Sequence, residues 1–153
     1  MPIFTPDPTK VSTGFQVFPK GRYEVELGEP KSFYSPGKNN KADNHGVRFS
    51  GKMVEGTEKG KTIPITCYMH SDGSMSFSKQ YQMSALGYNP ADNLSQNKFN
   101  EEKGGLDWSY NPDTATCGDA WHEMKGKVIV LDLDTAMGEG GAEQQKTVKI
   151  SPF

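Results

Sequence analysis

A chain of 153 residues is long enough for one hydrophobic core and short for two. Only 33% of it is hydrophobic, with 17 glycines and 10 prolines, a loop-rich composition whose three strong apolar runs still exclude wholesale disorder. The net charge of -2 excludes a uniformly basic nucleic-acid coat but conceals an asymmetry: residues 1–61 carry ten Lys and Arg against seven Asp and Glu, and residues 62–153 carry seven against twelve.

Residues 1–19 hold four of the prolines and no period, so they read as an irregular N-terminal arm that docks through Phe4, Phe15, Val17 and Phe18. Residues 20–153 then form a single domain. Its first strand, GRYEVELGE, sets Tyr23, Val25 and Leu27 against Arg22, Glu24 and Glu26, the alternation of a sheet with one face on a core. The segment PKSFYSPGKNNKADN, broken by Pro, Gly and Asn, predicts a long exposed loop over 31–44.

The second strand, HGVRFSGKMVE, places Val47, Phe49 and Met53 opposite Arg48, Ser50 and Lys52, and GTEKGK turns the chain. A third strand from Thr62 to His70 alternates Ile63, Ile65, Cys67 and Met69 with Pro64, Thr66, Tyr68 and His70. Pro64 has no amide hydrogen and belongs at a strand start or sheet edge. Phe77, Tyr81, Ala85 and Tyr88, widened by Met83 and Leu86, recur at helical spacing, with Ser74 or Ser76 as cap and Gly87 and Pro90 as stop.

Residues 89–122 form a polar stretch too long for an ordinary connection and predict a functional or mobile segment. KGKVIVLDLD is the fourth strand, TAMGEGGAEQQ a loose turn, and KTVKIS the fifth strand. The predicted class is all-β with one helix. The order strand-strand-strand-helix-strand-strand is that of the five-stranded oligonucleotide/oligosaccharide-binding (OB) barrel with long loops, in which the helix stoppers an open end.

The longest apolar stretch, Val128 to Leu131, is far below a membrane span, and residues 1–19 contain no apolar signal region. Two cysteines, Cys67 and Cys117, suit a reducing cytosol and not a disulfide scaffold. Cys67, His70, Cys117 and His122 are zinc-type ligands, but positions 67 and 70 of a regular strand face opposite sides, so no metal is expected and no cofactor is indicated. No phosphate loop, nucleophile elbow or His-Glu zinc motif is present, and Asp132 and Asp134 occupy ordinary solvent-facing strand positions, so a non-enzyme is expected.

GRYEVELGE near the start, SKQYQMSALGY after the third strand and GKVIVLDLD before the last together resemble the single-stranded-DNA-binding proteins of bacteriophages, in particular a small phage family formerly of unknown function. The resemblance spans roughly residues 20–150 as a pattern. It implies an OB fold that coats single-stranded DNA in phage replication or recombination within the bacterial host cytoplasm. It also implies replication or recombination proteins as partners, with self-association left open and no membrane involved. Many members end in an acidic tail that recruits partners, whereas this chain ends KTVKISPF.

Binding single strands without reading sequence needs cations along a groove and aromatic faces for bases. The first loop offers Lys31, Phe33, Tyr34, Lys38 and Lys41, the second strand's outer face Arg48 and Lys52, and the third strand Tyr68. Trp108 and Tyr110 are a second candidate stacking pair, a clamp or a protein contact, set among carboxylates that repel phosphate, while Trp121 is assigned to the core. Competing readings are a merely solvated lysine surface, Phe33 and Tyr34 folded back as a minor core, and ion pairs from Arg48 and Lys52 to Glu24 and Glu26. The alternative function is a protein-interaction or virion structural protein on the same small barrel, with Trp108, Tyr110 and the docked N-terminal arm forming a subunit interface.

Overall fold

A computed structural model describes residues 17–37, 43–68, 77–137 and 143–153. Along the chain these form β1 (Gly21–Leu27), β2 (Lys31–Ser35), β3 (Asn44–Met53), β4 (Thr62–Tyr68), α1 (Phe77–Ala85) and α2 (Asn93–Lys103). There follow β5 (Tyr110–Asn111), β6 (Thr116–Cys117), α3 (Asp119–His122), β7 (Val128–Met137) and β8 (Glu143–Pro152). Six strands build one antiparallel sheet, ordered β2-β3-β1-β7-β8 with β4 also on β3, while β5 and β6 make a separate hairpin.

β1 and β2 are two lengths of one interrupted strand. Val25–Leu27 pair with Met53–Gly51 and Lys31–Ser35 pair with Arg48–Asn44, so both lie in series along one edge of β3, and β4 takes the other. The interruption is Gly28-Glu29-Pro30, where the Gly28 N–H donates to the Ser50 carbonyl at 2.7 Å. A Cβ at residue 28 would stand 2.8 Å from that oxygen, which is why glycine holds the position.

This arrangement corrects the expected loop over 31–44, much of which is strand. Pro30 and Pro36 lie just outside β2, where a missing amide hydrogen leaves the ladder intact, and they conceal the alternation between them.

One sheet face carries the core: Val25, Leu27, Val47, Phe49, Ile65, Cys67, Ile129, Leu131 and Ile150 are all buried on it. α1 packs against β4, β7 and β8, with Tyr81 and Ala85 in the common core, and it ends where Gly87 turns to φ 92° and the Tyr88 N–H donates to the Met83 carbonyl at 2.8 Å. Phe77, expected on the buried stripe, is exposed. Among the described residues no ladder joins β4 to β8, and the helix touches both edges. Met69, His70 and the expected caps Ser74 and Ser76 lie outside the described residues.

Among the described residues, eight strands and three helices stand where the sequence predicts five strands and one helix. Besides the split first strand, the additions come from the stretch 89–122. There the Asp92 carboxylate caps α2 by accepting the Ser95 N–H at 3.0 Å, and Phe99, Trp108 and Trp121 form a relay of rings that ends on Phe49 of the sheet. Trp121 is fully buried, in accord with its assignment to the core. Of the N-terminal arm only residues 17–19 are described, and Phe18 is fully buried with its N–H donating to Gln145 Oε1 at 2.6 Å.

The α1 contact makes stability sensitive to alkali. Burial pushes the Cys67 thiol from 9.0 up to about 12, and burial followed by the nearby Cys67 pushes the Tyr81 hydroxyl from 10.0 up to about 12. Both groups hold protons in the fold that the unfolded chain releases, so stability falls as pH rises from the ordinary thiol value towards the folded ones. Thermal melting is expected to be lower at about pH 11 than at about pH 8, and Cys67→Ala to narrow the difference. Equal melting temperatures at the two pH values would contradict this account.

Candidate nucleic-acid interface

The pleat places every second residue of β2, β3 and β4 on the face opposite the core. Two cross-strand rows result: Lys31, Arg48 and Thr66 align in one, and Phe33, Gly46 and Tyr68 in the next. Because Gly46 has no side chain, the Phe33 and Tyr68 rings meet edge to face over it, with centroids 5.7 Å apart. The Arg48 guanidinium lies 4.4 Å from the Phe33 centroid, a cation–π contact that holds the planar charge against the sheet.

Lys31, Arg48 and Lys52 are exposed, and Tyr68 retains 43% of its surface. The ion pairs among the described residues, Lys20–Asp134, Lys61–Glu58 and Lys103–Glu123, use none of these three cations. Lys52 stands directly across from Glu26 without pairing to it, so the competing reading of cross-strand ion pairs to Glu24 and Glu26 is not met. A groove of about 650 Å³ lies here, lined by Lys31, Phe33, Arg48 and Pro64 together with Glu29 and Ala115. Ala115, at φ 57°, belongs to the turn of the β5–β6 hairpin, which sits beside β2, where the Ser32 hydroxyl donates to the Asn111 carbonyl at 2.6 Å.

Tyr34, Tyr110 and Trp108 lie elsewhere. Tyr34 follows Phe33 and so points to the other side of β2, where its hydroxyl donates to Asp43. That bond, then partial burial and the Asp43 charge, raises the Tyr34 hydroxyl above its ordinary value; the Gly37 N–H and then Tyr34 lower the Asp43 carboxyl. Tyr110 stacks on His45 at 5.8 Å and hydrogen-bonds its Nδ1 at 2.6 Å, also on the side away from the groove. Trp108 is half-buried, edge-on to Trp121 at 5.1 Å, with its Nε1–H donating to the Lys103 carbonyl at 2.9 Å.

Trp108 and Tyr110 therefore hold the insertion to the sheet and do not join the face. The expected stacking pair is thus engaged within the chain, Trp108 with Trp121 and Lys103 and Tyr110 with His45. Lys38 and Lys41 lie outside the described residues.

Gly46, Pro64 and Glu29 belong to the site although the sequence reading does not place them among its binding residues. For Gly46 the signal was present, since a glycine within a strand marks close backbone approach. Cys117 and His122 stand 3.8 Å apart, and burial, then Asp107 and Glu29, push the Cys117 thiol up. Among the described residues no three His, Cys, Asp or Glu side chains are placed to hold a metal.

The fold and this face define a β-rich protein with a cationic groove bearing aromatic rings. No protein-family model matches the chain, and no curated protein matches it. No described helix is long and apolar enough to cross a membrane.

Proposed function

We propose that the protein is a non-catalytic, sequence-tolerant single-stranded-DNA-binding protein built on an OB barrel and acting in phage DNA replication or recombination. With β1 and β2 counted as one interrupted strand, the large sheet has five strands. These five strands, with α1 between the third and fourth, support the OB reading, to which the insertion adds α2, β5, β6 and α3. In barrels of this type the second and third strands carry the ligand, and here those strands are β3 and β4.

The observation that carries the reading is the cluster of Lys31, Phe33, Arg48 and Tyr68 on one sheet face. Lys31, Arg48 and Lys52 follow phosphates, while Tyr68 and the Arg48–Phe33 stack receive bases, each stack contributing about 1–3 kcal/mol. The rival assignment, a subunit interface built on Trp108 and Tyr110, gains no support from their positions, since both rings are engaged within the chain.

The test is calorimetric titration of oligo-dT into the wild type and into the double variant Arg48→Glu, Lys52→Glu. The variant is expected to bind at least about tenfold more weakly at moderate salt, and its plot of log affinity against log salt should be shallower. Unchanged affinity and slope would remove this face from the mechanism. A duplex of the same length should bind the wild type far more weakly than the single strand.

A further inference from the structure

We infer that Glu29 lets the groove discriminate among bases, favouring those that carry an exocyclic amino group, cytosine, adenine and guanine, over thymine and uracil; this rests on the single-strand reading above. The groove, at about 650 Å³, falls in the size range of small-molecule sites and is large enough to take in one base. Its side chains divide by hydrogen-bonding capacity. Lys31 and Arg48 only donate and are drawn to phosphate, while Ser50 and Thr62 both donate and accept.

Glu29 is the one that only accepts. Among the described residues its carboxylate has no hydrogen bond or ion pair, although two cations line the same groove. A bare carboxylate beside a polyanion repels it, and that repulsion is offset where the ligand presents N–H groups to the oxygen. Hydrogen bonds to an ionised acceptor are short and strong, and Glu accepting from the cytosine N4 amino group is an established base contact. Phosphate contacts set position, and an edge contact of this kind sets preference.

The backbone that carries Glu29 is fixed on both sides. Gly28 is tied to the Ser50 carbonyl at 2.7 Å, and Pro30 is buried at the head of β2. Leu27, just before it, exchanges backbone hydrogen bonds with the segment before β7, its N–H donating to Lys127 at 2.9 Å and its carbonyl accepting from Gly126 at 2.8 Å. The carboxylate is thus presented from a braced turn, as a selective contact requires.

The experiment compares short oligo-dC with oligo-dU, which differ at C4 by amino against keto, at matched salt and mildly alkaline pH, for the wild type and Glu29→Gln. The wild type is expected to prefer oligo-dC by roughly fivefold or more. Glu29→Gln, whose amide both donates and accepts, should reduce the preference to within about twofold and bind both oligomers at least as tightly as the wild type, because a negative charge has gone. Equal wild-type affinities, or a preference that survives in Glu29→Gln, overturns the inference; if binding still weakens in the Arg48→Glu, Lys52→Glu variant, the single-strand reading stands without it. Failure of the wild type to bind either oligomer overturns both.

Discussion

Replacing Trp121 with alanine is expected to destabilise the protein by about 3–5 kcal/mol, the loss found when a large aromatic leaves a packed core. The ring is fully buried, meets Trp108 edge-on at 5.1 Å and lies 6.3 Å from Phe49, so it joins the insertion to the sheet. Its Nε1–H donates to the Trp108 carbonyl at 2.9 Å, and deletion leaves that oxygen without its partner as well as opening a cavity. Urea denaturation followed by circular dichroism measures the change. Trp121→Phe should recover most of it, the remainder of about 1 kcal/mol reflecting the hydrogen bond. A loss below about 1 kcal/mol in Trp121→Ala would show that the ring does not connect the two parts.

Gly46→Ala is expected to cost about 3 kcal/mol, or more where the ladder cannot adjust, through overpacking. A Cβ there would lie 1.9 Å from the Cys67 carbonyl oxygen and 3.2 Å from Tyr68 Cα, and both are backbone atoms that no side-chain rotation relieves. β3 and β4 must part at that point, which is the row that brings Phe33 to Tyr68. The substitution therefore reduces oligonucleotide affinity as well as the melting temperature. Gly105→Ala, where nothing lies within 4 Å, is the control and should change stability by no more than about 0.5 kcal/mol. A Gly46→Ala protein that melts with the wild type would refute the close approach.

What the sequence made legible followed from one-sided burial. β3, β4 and β7 present an unbroken alternation or a dense β-branched run, and Arg48, Lys52 and Tyr68 were placed on the outer face from that period alone. β2 was hidden by its flanking prolines, so Phe33 seemed to belong to a loop when it is fixed in the sheet beside Arg48. α2 was hidden because NLSQNKFNEEK buries only Phe99 and so shows no apolar stripe; a cap and a ring relay hold it in place of a broad face. Glu29 gave no local sign, since its place in the groove depends on a strand break that brings the ends of β1 and β2 along one edge of β3.

The pairing of Trp108 with Trp121 governs which spectroscopic signals the protein offers. Both indoles belong to the insertion, and through Phe49 they pack on the side of β3 turned away from Phe33 and Tyr68. Intrinsic emission excited in the indole band therefore reports whether that side is intact and remains nearly silent when an oligonucleotide occupies the groove. Quenching on ligand addition instead calls for a reporter placed on the Tyr68 side, and Tyr68→Trp supplies one.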